Sequence, residues 1–418
     1  MKAFSHNDHQ RVVVTGMGAI AANGIGTENF WQTLVEGRSG VGPITLFDAS
    51  KLSTRIAAEA TDFKPEIHLP PGTKWKRMPR QAQFALSAMK MALADAQMDE
   101  RFLASVCRPV GISIGVSTSA IEVVEDAMLS VAKGQPNWVR PWVVWATQPH
   151  CVPMTLAECL GTHTEIQTIS TACKAGLDAI LGAMDAIRGG HADVVIAGGS
   201  DASITPSTCA AFSSSRMLSA RNDDPQHASR PFDRDRDGGV LGEGAGILVL
   251  ESLTHARARG ARIWLELCGG ASHADAAGKS AAEGLGTCMT LAMANAHVRA
   301  EDIDYVCAHA PSDPVIDRVE TRMLRKTLGH HAFRIPVSSI KGVTGNPLAA
   351  AGPLELITCA LAMRDDTIPP TANYTIPDPE CDLDYVPQAR RVRLNLALMN
   401  IHGMGGGNAT LIARRYPS

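Results

Sequence analysis

The chain contains no Cys-x-x-Cys pair, and its ten cysteines are scattered over 418 residues. That spacing argues against a dense disulfide framework and offers no zinc-type ligand set, so no metal is expected and reduced thiols in a cytoplasmic compartment are. No apolar run approaches the ~20 residues needed to span a bilayer, and no basic-then-apolar leader opens the chain. Neither sign of charge dominates: 39 Lys and Arg against 42 Asp and Glu leave a formal net charge of −3. A general electrostatic reason to bind nucleic acid or a membrane is therefore missing, and any charged docking site must be local. Disorder is excluded as well, because 45% of residues are hydrophobic and only 19% charged, a composition that buries a core. A chain of this length holds two domains or one large double unit.

Short β-rich runs alternate with longer helical ones. Residues 11–15 stop at Gly16 and Gly18, residues 110–114 precede a helix-like stretch near 119–131, and residues 192–197 run into Gly198 and Gly199. A second series follows at 263–267, 305–308, 335–338 and 392–397. The pattern predicts an α/β architecture with mostly buried strands, divided into an N-terminal half, 1–255, and a C-terminal half, 256–418, joined near 252–262. Internal identity between the halves is weak, so a repeat is only suggested. The segment 133–150 is less regular and carries Trp138, Trp142 and Trp145. It is expected to line a pocket or a subunit contact.

Cys173 stands where a β-rich run, 165–172, gives way to a helix-like run. Backbone N–H groups and the positive end of a helix dipole favour a thiolate there, and the thiolate is the nucleophilic form. A cysteine at such a junction can also be plain packing, since free cysteine is among the most buried residue types.

Five distant segments resemble one family. Thr171-Ala172-Cys173, the glycine-rich 230–246 segment, Ala308-His309, the 338–345 segment that begins Ser-Ser-Ile-Lys, and the 400–408 segment are similar, in order, to the β-ketoacyl-acyl carrier protein synthases, with the elongating type of fatty-acid and type II polyketide systems nearest. The resemblance covers nearly the whole chain. It implies a thiolase-type fold, two related α/β halves in a layered αβαβα arrangement, and a homodimer or a heterodimer with a related subunit. It also implies decarboxylative Claisen condensation: Cys173 takes an acyl group from a carrier thioester, and malonyl-carrier loses CO2 to give the attacking enolate. No cofactor is implied, because phosphopantetheine arrives on the acyl carrier protein. His309 matches the catalytic histidine and would donate to the thioester oxygen. Lys341 matches the family's lysine, and Glu320 an acidic residue able to pair with it. Backbone N–H groups near Cys173 and in the 403–407 run, which begins at Gly403, would form an oxyanion hole.

Departures from the family pattern are as informative. Where elongating synthases carry a second histidine, this chain has Asn346 followed by Pro347, which gives a Cys173, His309, Asn346 set. Asparagine can donate a hydrogen bond but cannot exchange a proton near pH 7. After His309 the usual Gly-Thr-x-Thr reads Ala310-Pro311-Ser312-Asp313, which stiffens the loop and leaves only the Ser312 hydroxyl to hold a pantetheine arm. The usual Asn-Ser-Phe-Gly-Phe-Gly-Gly reads Asn400-Ile401-His402-Gly403-Met404-Gly405-Gly406. Met404 thus takes the position of an aromatic gate, and methionine adapts its shape more readily than phenylalanine. His402 either packs in the aromatic's place or serves as a substitute acid or base. Lys174 follows the nucleophile, where small residues are usual; its ammonium either lowers the thiol pKa or turns away to solvent.

Lys74, Lys76, Arg77 and Arg80 form a basic stretch resembling the family's docking region for acidic carrier proteins, though an ordinary solvated helix start would read the same way. Three functions stay open: a condensing enzyme, an acyltransferase or non-elongating synthase, and a non-catalytic partner subunit. Retained Cys173 argues against the last. Degradative thiolases need a cysteine near the C-terminal glycines, and none follows Cys381.

Overall fold

The computed structural model describes residues 10–417 except 107, 162 and 276–281. Ten strands carry the architecture: β1 (Val12–Ala21), β2 (Val110–Gly115), β3 (Thr164–Ile169), β4 (Val194–Ala202), β5 (Glu243–Ser252), β6 (Leu265–Ala274), β7 (Tyr305–Cys307), β8 (Val337–Ser338), β9 (Leu396–Gly403) and β10 (Gly407–Arg415). The principal helices are α1 (Arg80–Asp95), α2 (Ile121–Ala132), α3 (Ala175–Arg188), α4 (Gly284–Ala296), α5 (Ile316–Leu328) and α6 (Ala351–Asp365). Among the described residues, none of the helices is long and apolar enough to cross a membrane.

One sheet runs β8–β7–β9–β10–β6–β1–β5–β4–β2–β3, with Gly24–Ile25 as a short extra strand on β1. Reading outward from its middle, β1–β5–β4–β2–β3 and β6–β10–β9–β7–β8 follow the same order. The pairings match as well: two antiparallel steps and then two parallel ones in each arm. Among the described strands, the arms join through antiparallel pairing of Val12, Val13 and Val14 with Leu267, Glu266 and Leu265. A repeat that identity could only suggest is therefore plain in topology, because the order of elements is retained where the side chains have diverged.

The alternation of strand side chains divides the interior into layers. On β4, Val194 and Ile196 face an outer core with Phe84 and Met89 of α1, whereas Val195 and Ala197 face the central core with Leu177 and Ile180 of α3 and Leu354 of α6. In the second arm Val306 and Leu398 join Leu285 and Met289 of α4 in a third core, while Cys307 and Met399 face the centre. Helices α3 and α6 fill the middle layer, and α6 is buried from Ala351 to Met363. Their N-terminal turns cross closely: a Cβ on Gly176 would lie 2.1 Å from the Ala349 carbonyl oxygen, and one on Gly352 would lie 2.9 Å from Leu177 Cβ.

Gly16 and Gly18 do not end the first strand. β1 passes through both, with a bulge between Val14 and Gly16. A Cβ there would fall 2.1 Å from Ala92 O and 2.0 Å from Ala88 O, so these glycines admit the backbone of α1 rather than a turn. Gly198 and Gly199 are likewise inside β4, and the last expected strand begins at Leu396 instead of 392.

The segment carrying the three tryptophans does not wall the Cys173 cavity. With α2 it presents apolar side chains outward: Met128 is 61% exposed, Trp138 73% and Val144 75%. Met128, Leu129 and Ala132 border a separate cavity of about 830 Å³ with Phe47, Ile204 and Pro206.

Candidate active site

The loop from β3 to α3 places Cys173 at the centre of the molecule. Ala172 adopts φ 58°, a conformation uncommon for a residue with a side chain, and it turns the chain sharply before the helix. Thr171 donates from Oγ1 to Asp178 Oδ2 at 2.6 Å, which ties this turn to the first turns of α3. The end of β9 lies against it, since a Cβ on Gly403 would stand 3.3 Å from Thr171 O and 3.4 Å from Cys173 N. In that arrangement the Met404 and Cys173 backbone N–H groups are both directed at the Cys173 sulfur.

Burial pushes the Cys173 thiol above its ordinary range, opposed by the Met404 N–H; the Asp201 carboxylate raises it further and the Lys341 ammonium draws it back. Desolvation outweighs the stabilisation of thiolate expected at a helix start. Lys174 does not supply it. Its Nζ pairs with Asp178 and donates to Ser272 Oγ at 2.8 Å, away from the sulfur.

His309 follows β7 and is only 3% exposed. Burial holds its pKa well below the usual imidazole range, with the nearby Lys341 and His402 acting in the same direction, so the ring is neutral at pH 7. Its Nδ1 is buried without a partner among the described residues. The backbone around it is fixed by Glu320, whose carboxylate accepts from His309 N at 3.0 Å, Ala310 N at 2.8 Å and Asn400 Nδ2 at 3.2 Å. Glu320 is thus a clamp on the histidine loop rather than the ion-pair partner expected for Lys341. That partner is Glu355 of α6, which accepts from Lys341 Nζ at 2.6 Å, both side chains being buried. Burial pushes both carboxyls up, while the Lys341 cation pulls both back. Sequence reasoning missed Glu355; its signal was the one carboxylate in the apolar run 351–363.

Asn346 follows Gly345, which turns at φ 62°. Its backbone is held between Val240 O at 2.8 Å and Gly242 N at 3.0 Å, and its Oδ1 is buried without a partner among the described residues. Cys173, His309, Asn346, His402 and Met404 line one cavity of about 560 Å³. Phe212, Met217, Leu218, Val240 and Leu241 supply apolar wall, none of which was singled out in the sequence. Met404 contributes its amide at the sulfur, while its side chain is 53% exposed.

Two further expectations fail locally. Ser312 is fully buried at φ 70°, and its hydroxyl accepts from Arg230 N at 3.0 Å, so it braces the loop instead of offering a hydroxyl to a pantetheine arm. Arg80 is separated from the basic stretch by its ion pair with Glu243 at 2.6 Å. Lys74, Lys76 and Arg77 stay exposed around the single turn Trp75–Arg77.

The description "Beta-ketoacyl synthase, N-terminal domain" matches residues 9–256, and "Beta-ketoacyl synthase, C-terminal domain" matches residues 266–375. The chain is 41% identical over 414 residues to the 3-oxoacyl-[acyl-carrier-protein] synthase 2 of Synechocystis sp., covering 98% of this chain and 99% of that protein. Among solved structures, the ishigamide ketosynthase/chain length factor superposes with a TM-score of 0.91 at 33% identity, covering 97% of this chain and 99% of that one. A type II polyketide ketosynthase bound to the hexaketide and in complex with its acyl carrier protein gives 0.89 at 33% identity, covering 97% and 99%.

Proposed function

This chain belongs to the β-ketoacyl synthase family, with a thiolase-type fold, and we propose that it joins an acyl group held on Cys173 to malonyl-carrier by decarboxylative Claisen condensation. The observation that carries the reading is the convergence of the Met404 and Cys173 amides on one sulfur inside a cavity shared with His309 and Asn346. Those amides suit the oxyanion of the tetrahedral intermediate formed when Cys173 attacks a carrier thioester. The acyl chain then lies along Phe212, Met217, Leu218 and Leu241.

Loss of CO2 from the malonyl group leaves negative charge on its thioester oxygen. His309, neutral because it is buried, donates one hydrogen bond to that oxygen, and the Asn346 amide donates the second. Neither has to change protonation state. The enolate carbon attacks the acyl-cysteine, and collapse returns the Cys173 thiolate with the β-ketoacyl product on the carrier. Lys341 and Glu355 form a buried hydrogen-bonded pair behind the site, and Glu320 holds the His309 backbone in register.

The partner is an acyl carrier protein that delivers its own phosphopantetheine, attracted by Lys74, Lys76 and Arg77. The apolar surface of α2 and the Trp138 segment supports a dimer, with a second copy or a related subunit. Nine described cysteines, all unpaired, support a cytoplasmic setting.

Intact-protein mass spectrometry with acyl-carrier protein, then malonyl-carrier, tests the reading. Wild type should gain the acyl mass and then release CO2 and β-ketoacyl product, and Cys173→Ala should gain no mass. Loading without CO2 would replace condensation by acyl transfer, and absence of loading would leave a partner-subunit role.

A further inference from the structure

His402 stands on β9 with 8% exposure, at the end of a hydrogen-bond chain that fixes its tautomer. Asn408 donates from Nδ2 to Asp275 Oδ1 at 2.9 Å and to the Gly406 carbonyl at 3.2 Å. Both of those partners only accept, so the other end of the amide, Oδ1, must face His402. It lies 2.8 Å from His402 Nδ1, and that nitrogen must therefore carry the hydrogen. Asp275 is itself anchored by Gly284 N at 2.6 Å and Ala282 N at 3.2 Å. A neutral His402 then bears its lone pair on Nε2, which has no hydrogen-bond partner among the described residues, and the side chain lines the cavity of Cys173.

The neighbouring groups are poorly placed to accept a proton. Lys341 is engaged by Glu355. Asn346 is not a base, and protonating His309 would put a cation on a buried ring next to Lys341. Asp313 and Asp275 also border the cavity, but each already accepts from backbone N–H groups, Val315 N at 2.8 Å and Ile316 N at 2.9 Å in the case of Asp313. Among the described residues, Cys173, His309, Asp275 and Asp313 are the other titratable groups in this cavity.

We propose that His402 is the catalytic base of Cys173 acylation, oriented by Asn408 and Asp275. Sγ of Cys173 forms a bond to the acyl carbonyl carbon as its proton passes to His402 Nε2, directly or through one water. The tetrahedral intermediate collapses, the carbon–sulfur bond to the pantetheine arm breaks, and the departing thiolate takes the proton back from Nε2. No oxidant or further reactant is required. The orienting chain has the base-plus-orienter logic of activated nucleophiles, with Asn408 as the orienting group. The proposal rests on Cys173 being the acyl acceptor, and it gives an imidazole base to a site whose Asn346 has none.

The test compares wild type, His402→Phe, His402→Gln and His402→Ala in single-turnover acylation by an acyl-N-acetylcysteamine thioester, followed by mass between about pH 5 and about pH 9. Iodoacetamide alkylation of Cys173 is followed over the same range. Wild type should show a limb governed by an imidazole. His402→Phe and His402→Gln should acylate about 100-fold more slowly or worse and lose that limb, and added imidazole should restore part of the rate in His402→Ala. Variants with wild-type near-ultraviolet circular dichroism and unchanged rates and profiles would overturn the base. So would a loss of equal size at every pH with no imidazole rescue, which marks a structural role. A wild type that takes no acyl group, yet alkylates with an imidazole limb that His402→Phe loses, would overturn condensation while retaining the base.

Discussion

Lys341 illustrates how one buried charge sets the state of several neighbours. Its cation lowers the pKa of His309 and draws down those of Cys173, Glu320 and Glu355. Replacing it with methionine removes a like charge from beside the imidazole, so the His309 titration should move up in pH; NMR of labelled histidine measures the shift. The same variant leaves Glu355 buried without its partner, a loss of about 3 kcal/mol in stability by chemical denaturation. At Cys173 the sign is opposite to that of an activated thiol. Because burial raises its pKa, the thiolate population at neutral pH is below that of a free cysteine, and the thiolate limb of iodoacetamide alkylation should rise only above the pH range of free cysteine. A limb below that range in the His402→Phe variant would contradict the desolvation argument.

At the scale of elements, the two arms of the sheet deliver their chemistry through equivalent crossovers. One crossover, β3 to α3, carries Cys173, and its counterpart, β8 to α6, carries Lys341 and Asn346. The two crossover helices approach at Gly176 and Gly352, which is why residues 173 positions apart share one cavity. A methyl group at 176 would meet the Ala349 backbone oxygen at 2.1 Å. Gly176→Ala should therefore destabilise the protein by about 3 kcal/mol, read as a lower urea midpoint. It should also slow acylation, because Ala349 leads into α6 only three residues after Asn346. The glycines of β1 carry the same lesson: Gly-x-Gly after an apolar run looks like a stop, yet here it marks a helix packed against a strand.

Over the whole molecule, the surface separates a basic turn at Lys74, Lys76 and Arg77 from an apolar face at α2, Trp138 and Val144. Charge reversal in Lys76→Glu with Arg77→Glu should raise KM for acyl-carrier protein several-fold at low salt and leave kcat little changed, with the difference shrinking as salt screens the surface. Equal KM values at low and high salt would remove this stretch from docking. Substituting the apolar face, Met128→Asp with Trp138→Asp, should shift the assembly towards single chains in sedimentation velocity, since it places charge in a surface that must be desolvated on association.

The family and the alternation of α and β elements were legible in the linear chain, because local patterning fixes strands and helices and the motifs are contiguous; Cys173, His309 and Asn346, named from those motifs, are brought to one cavity by the fold. Distances across the fold were not. Glu355 as the partner of Lys341, Glu320 as a clamp on a loop, Ser312 as a brace, Lys174 turned to Ser272 and Arg80 to Glu243 are pairings between groups brought together by packing, and each long polar side chain had several partners within reach of its sequence neighbourhood. The same holds for His402. Its identity is written in the chain, but the proton on Nδ1 and the free lone pair on Nε2 depend on Asn408 and Asp275. Asp275 lies 127 residues before His402, and only strand pairing and the close approach of backbone segments bring the three into one hydrogen-bonded line.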